Sequence, residues 1–209
     1  MLMFIVSVLA AYAVGSFPTS FLMAKAFKGI DIRQVGSKNA GATNVFRAVG
    51  KMPALATLVI DIYKGVFVVT VLAGFFYPLQ NIFNYDFYRP LLGFIAVCGH
   101  IWPVFLKFRG GKGVATTLGM AAVLAPKAFL ASAAIFVIVF SLSGYISLAS
   151  IISLLSFPLI AAVFNYSFYL VVFSVTISLI VSYKHKENIK RLLKGVENKT
   201  VIFKPKNYP

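Results

Sequence analysis

Acid is what this sequence lacks. Five Asp and Glu stand against 20 Lys and Arg among 209 residues, a net charge of +15. Carboxylates that could ligate a metal are therefore scarce. The single cysteine, Cys98, excludes an internal disulfide and any Cys-based metal cluster. It lies in an apolar run and reads as buried filler. Charge of either sign makes up only 12% of the chain, and 60% is hydrophobic. Soluble domains carry about 25% charged residues, so a soluble globular fold is excluded. A polytopic membrane protein is expected, with residues 1–209 forming one domain and no added soluble one. The cations sit between apolar runs, so no nucleic acid is expected. Membrane lipid head groups or phosphorylated substrates fit them better. The opening MLMFIVSVLAAYAVGSF lacks the positive n-region of a signal peptide and reads as a retained first span.

The most informative stretch runs from Gly99 to Thr117, GHIWPVFLKFRGGKGVATT. An apolar run ends in Lys107, Arg109 and Lys112, set among Gly110, Gly111 and Gly113, and a second apolar run follows at once. Glycines let a backbone turn tightly and bring bare N–H groups to a ligand. A helix starting there adds its positive dipole end. Such a loop is either a phosphate cradle or a turn whose cations only fix membrane topology.

The longest polar loop, Lys25 to Lys51, holds six cations and one acid, Asp31. Its centre, Gly36-Ser37-Lys38-Asn39-Ala40-Gly41-Ala42-Thr43-Asn44, is rich in small hydroxyl and amide side chains that form anion-binding nests in turns. Arg47 falls three residues after Asn44, on the same face of a helix starting near Thr43. Its planar guanidinium suits bidentate phosphate contact.

Spans are expected at about Leu2–Ala24, Pro53–Phe76 and Leu91–Leu106. The first carries GSFPTS, which is either a packing kink or a face that turns Ser16, Thr19 and Ser20 towards a polar cavity. The second carries Asp61 and Lys64 at i, i+3, either a self-neutralising pair or part of a site. His100 reads as hydrogen-bonded structure and Trp102 as an interface anchor. From Val114 to Tyr183 the only charge is Lys127, and breaks fall near Pro126, Ser143-Gly144 and Asn165. The tail from Lys184 to Pro209 holds eight cations and two acids. Cations at 25–51, 107–112 and after 184 belong on the cytoplasmic side, which requires residue 1 outside and an odd number of spans. Four crossings of roughly 17 residues each fit the last apolar stretch. The expected fold is thus an all-α integral membrane bundle of seven spans, some short or tilted, with the N-terminus outside and the C-terminus cytoplasmic. Five spans are the fallback. All three polar motifs then share the cytoplasmic face.

GSKNAGATNVFR, DIYKG, GHIWPVFLKFRGGKGVATTLG and KHKENIKRLLKGVE, in that order, resemble the bacterial acyl-phosphate:glycerol-3-phosphate acyltransferase family (PlsY), over nearly the whole chain. The resemblance implies an enzyme of the bacterial inner membrane with its active site on the cytoplasmic side. It would move an acyl chain from acyl phosphate to the sn-1 hydroxyl of glycerol 3-phosphate. Lysophosphatidate and inorganic phosphate would result, in the first step of phospholipid synthesis. No cofactor and no metal are implied. An acyl-phosphate-forming enzyme would hand over the donor. By resemblance, Ser37, Arg47, Lys112, His185 and Asn188 are the catalytic candidates. Asn39, Gly41, Thr43, Asn44, Gly110, Gly111, Gly113 and Glu197 are the substrate-binding ones, and Lys64, Arg109 and Thr116 join them as candidates from the residues themselves. Glu197 matches a position needed for activity or structural integrity. The family pattern has Gly at Lys38 and often Pro at Ala40, so Lys38 adds bulk and charge inside the proposed nest.

Such a reaction needs two anionic phosphates held near one another and a hydroxyl held near an activated carbonyl. Cations and backbone N–H groups serve both. A general base is hard to find. The HxxxxD dyad of another acyltransferase family is absent, since Phe105 follows His100 by five and Lys190 follows His185 by five. His185, flanked by Lys184 and Lys186, is expected to bind substrate, with the donor's own phosphate taking the proton. There is no GxSxG elbow, and Cys98 is too deep to carry an acyl group, so a single displacement is expected. GGKGVAT lacks the Walker spacing of a kinase. A transporter of a small phosphorylated anion is the alternative.

Overall fold

The computed structural model describes residues 1–200, and over these the chain is helical with no strand. The elements are α1 (Leu2–Ser16), α2 (Thr19–Lys28), α3 (Ala42–Ala48), α4 (Lys51–Phe67) and a π-helical turn (Val68–Leu72) leading into α5 (Ala73–Gln80). Then come α6 (Tyr85–Ile101), a 3-10 turn (Val104–Leu106), α7 (Val114–Leu124) and α8 (Pro126–Ser143). Last are α9 (Ile146–Val163), α10 (Phe168–Lys184) and α11 (Lys186–Leu193). Helices α1 and α7–α10 are apolar on nearly every side, and large side chains such as Leu142 and Leu159 face outward, as expected where lipid replaces water.

Five helical stretches among the described residues are long and apolar enough to cross a membrane: Leu2–Lys28, Lys51–Gln80, Tyr85–Leu106, Pro126–Ser143 and Ile146–Val163. α10 and α11 pass the same test only when joined across a bend of 59°, as a broken span or a re-entrant loop. The 11 residues of α7 reach roughly 16 Å, about half the apolar thickness of a bilayer. The breaks fall where the sequence puts them. Pro126 opens α8, Gly144 closes it with φ 74°, and Asn165 turns the chain with φ 57°. GSFPTS is both a kink and, at Thr19 and Ser20, part of the lining of a polar cleft with Asp61, Lys64 and His100. Pro18 has no N–H to continue the helix, so α1 stops at Ser16 and α2 restarts at Thr19. The same break leaves Ser16, Thr19 and Ser20 buried.

Packing relies on small residues that let backbones approach. A Cβ on Gly15 of α1 would stand 2.1 Å from the carbonyl oxygen of Ala96 on α6. One on Gly119 of α7 would stand 2.0 Å from that of Ile62 on α4. Around these contacts Ala11, Val68, Tyr88, Leu92 and Ala96 form one buried cluster. The π turn loosens the backbone bonding of the span after α4, and Arg89 from α6 donates through Nε to the carbonyl of Val69 at 2.9 Å.

Candidate active site

The loop between α2 and α3 is built around one side chain. Asn44, 1% exposed, donates through Nδ2 to the carbonyls of Ile32 (3.0 Å), Val35 (2.9 Å) and Asn39 (3.1 Å). Its Oδ1 accepts from the amide of Ser37 at 3.0 Å. Asn44 thus holds the loop, and through it the exposed Ser37. Asn39, Gly41 and Thr43 are half-buried beside it. Lys38, where the resembled family has Gly, takes φ 57°, a conformation glycine adopts without strain. Arg47 does not share the inward direction of Asn44. It is exposed, and its Nη2 reaches the carbonyl of Asn198 and Oγ1 of Thr200, each at 3.5 Å. Asp31 accepts from Arg33, and this bond, acting against burial, lowers its carboxyl below the usual range. Arg33 also donates to the carbonyl of Leu106 at 3.2 Å, tying this loop to the next.

In the glycine-rich loop the structure corrects one expectation. The amides of Gly110 and Gly111 are not bare. They donate to the carbonyls of Ile101 (3.3 Å) and His100 (3.1 Å). Gly111 is glycine for space: a Cβ there would stand 2.1 Å from Nε2 of His100 and 2.8 Å from the carbonyl oxygen of Ala40. Gly113, with φ 89°, turns the chain into α7. Among the described residues, the amides of Lys112, Gly113, Val114, Ala115 and Thr116 have no acceptor. These, at the positive end of α7, are the free donors. Arg109 is exposed. Thr116 is fully buried, and its Oγ1 is without a partner among the described residues.

The third motif closes on the second. Lys112 donates through Nζ to Oδ1 of Asn188. Asn188 donates to Oε1 of Glu197 at 2.6 Å, Arg191 donates to Oε2 at 2.6 Å, and Ser147 donates to Oε1 at 2.9 Å. Burial alone would raise the Glu197 carboxyl, but these three bonds outweigh it and hold the group charged. Burial pushes the Lys112 ammonium down to about 8; Glu197 opposes this, while Arg191, Arg47 and Lys184 add to it. His185 follows α10 one turn before Asn188. Its Nδ1 lies 2.8 Å from the carbonyl of Val181, an acceptor, so Nδ1 carries the hydrogen and neutral His185 offers Nε2 as a lone pair. Ser147 is the member that sequence reading missed. It lies 50 positions from Glu197, in an apolar run, and only its neighbour Gly144 marks the place.

Lys64 and Asp61 pair directly at 2.6 Å, buried, and Lys64 also donates to the carbonyl of Phe17 at 2.6 Å. Both line a small cleft with Thr19, Ser20, His100, Ala40, Gly110 and Gly111.

These contacts define a class: a multi-pass helical membrane protein in which three polar loops converge on a cationic site. Comparison with known proteins supplies the family. Residues 5–195 match the family described as Glycerol-3-phosphate acyltransferase. A glycerol-3-phosphate acyltransferase of Endomicrobium trichonymphae is 43% identical, over 99% of this chain and 100% of the relative. One from Prochlorococcus marinus (strain MIT 9515) is 42% identical over 94% and 97%. The crystal structure of PlsY (YgiH), an integral membrane glycerol 3-phosphate acyltransferase, in its glycerol 3-phosphate form, has a TM-score of 0.86 at 35% identity. It covers 95% of this chain and 96% of its own. The lysophosphatidic acid form of that protein gives 0.83 at 34%, covering 95% of each. The chain belongs to the glycerol-3-phosphate acyltransferase family and is a transmembrane acyltransferase of phospholipid synthesis. The transporter alternative is not favoured.

Proposed function

We propose that the chain moves an acyl group from acyl phosphate to the sn-1 hydroxyl of glycerol 3-phosphate, giving lysophosphatidate and inorganic phosphate. The observation that carries this reading is Lys112, held by Asn188, which Glu197 holds in turn, at the head of five unpaired amides. The glycerol 3-phosphate and lysophosphatidic acid forms of the similar solved protein support it.

Lys112, Arg47 and the free amides at the start of α7 bind phosphate, with Ser37, Asn39, Gly41 and Thr43 completing the cradle from the first loop. Asn44 acts by holding that loop. Gly110, Gly111 and Gly113 supply the space and turn that aim Lys112, and Arg109 and Thr116 border the same loop. Glu197 keeps Asn188 and Arg191 in place. Nε2 of His185 accepts a hydrogen bond from the sn-2 hydroxyl of glycerol 3-phosphate, which leaves the sn-1 hydroxyl proton to the donor. The sn-1 hydroxyl oxygen attacks the acyl carbon, the bond from that carbon to the phosphate oxygen breaks, and the departing phosphate takes the sn-1 hydroxyl proton. Holding the two substrates in line supplies roughly 7–11 kcal/mol, without a covalent acyl-enzyme. No metal or cofactor takes part.

Seven crossing segments, with α7 as a short one and residue 1 outside, set the basic loops on the cytoplasmic face of the bacterial inner membrane, where an acyl-phosphate-forming enzyme hands over the donor. The positive bias of these loops supports that side. Residues 1–209 act as one domain.

Protein in lipid bilayers, given palmitoyl phosphate without ATP, CoA or divalent metal, is expected to release phosphate only when glycerol 3-phosphate is added. An equal yield of lysophosphatidate, and loss of both in Lys112→Ala, would support the reading. Absence of release at every acyl length would overturn it. In His185→Ala the KM for glycerol 3-phosphate should rise with part of kcat kept. Near-total loss of kcat at unchanged KM would make His185 the base instead.

A further inference from the structure

The reaction described above leaves a charged cluster inside the bundle unused. Asp61 and Lys64 of α4 are 2% and 4% exposed. A buried ion pair is weak support for a fold, because apolar residues of similar volume often do as well, and in a membrane span it is costly. What the cluster touches indicates another task. Lys64 donates to the carbonyl of Phe17, at the break before Pro18. Oδ1 of Asp61 lies 3.7 Å from Nδ1 of His100. His100 holds Gly111 from two sides: its carbonyl accepts the Gly111 amide at 3.1 Å, and its Nε2 occupies the space a Cβ would need. The loop so held is strained, since Lys107 and Phe108 carry φ of 53° and 61°. Non-glycine residues keep such angles only where the surroundings over-determine them.

We propose that Asp61, Lys64 and His100 form a positioning network that sets the backbone of Gly110 and Gly111 and so aims Lys112 and the free amides of α7. His100 touches the loop directly, Asp61 lies behind His100 and Lys64 behind Asp61, and the loop borders the phosphate site. The benefit to phosphate binding rests on the acyl-transfer reading; the control of loop position does not.

The test uses the full chain in bilayers and the double variant Asp61→Leu/Lys64→Met, which removes both charges and leaves neither unpaired. Hydrogen exchange without substrate is expected to quicken at the Gly110 and Gly111 amides by about tenfold or more, with α9 unchanged. The KM for glycerol 3-phosphate should rise by about tenfold, more than kcat falls. Unchanged exchange at those two amides would overturn the proposal, whatever the activity. So would a variant whose exchange quickens uniformly along the chain, the mark of a merely structural pair. If the double variant fails to fold, His100→Gln gives the same two readings. Because exchange is read without substrate, a wild-type protein that releases no phosphate would count against the functional reading alone.

Discussion

The ammonium group of Lys112 donates to Oδ1 of Asn188, 76 positions further along the chain. Asn188 is held in turn by Glu197, so the direction of the cation depends on a carboxylate that does not touch it. Lys112→Ala should lower kcat/KM by about 10²–10³, the range for losing one fixed donor at a developing charge. Asn188→Ala should lose nearly as much. Because the two act as a unit, the double variant should be little worse than Lys112→Ala alone. Fully additive losses would mean that Asn188 meets the substrate independently.

The lowered Lys112 predicts a pH dependence. In the free enzyme the group is charged below about 8. A bound phosphate favours the charged form, so the complex has the higher pKa. Affinity for glycerol 3-phosphate is then complete below about pH 8, falls as pH rises through that value, and binding takes up a proton there. Calorimetry in buffers of differing ionisation heat reads the uptake. Lys112→Arg, which stays charged, should abolish it. Glu197→Gln removes the nearest favourable charge and should move the midpoint to lower pH.

Asn44→Ala removes the four bonds that hold the first loop. It leaves the buried carbonyl of Ile32 and the part-buried ones of Val35 and Asn39 without this donor, at a loss of about 2 kcal/mol. Faster hydrogen exchange over residues 32–39 and a lowered unfolding temperature should accompany it. Normal exchange in that loop would show that the carbonyls find other donors.

Lys38→Gly should stabilise the protein by up to about 1 kcal/mol, because Lys38 holds a left-handed conformation. Thermal unfolding would read the gain. A loss would mean that the Lys38 side chain makes a contact worth more than the strain.

Much of this molecule could be read directly. Bundle, breaks and chemistry follow from composition and local pattern. Apolar runs bounded by Pro126, Gly144 and Asn165 must end where helices cannot continue, and the cations gather in loops elsewhere, at 25–51, 107–112 and after 184. What local pattern cannot carry is direction. Asn44 and Arg47 look alike as polar residues of one short helix, yet one faces the loop interior and the other the tail. Gly110 and Gly111 resemble a nest, but their amides are spent on the carbonyls of residues 101 and 100. Ser147, Asn188 and Glu197 meet only because the end of α10, α11 and the start of α9 come together. Sequence by itself determined the membrane bundle and the family, through residues whose physics is local. Tertiary structure alone decided which donors remain free to meet a phosphate, because a donor is free only when no distant part of the chain has taken it.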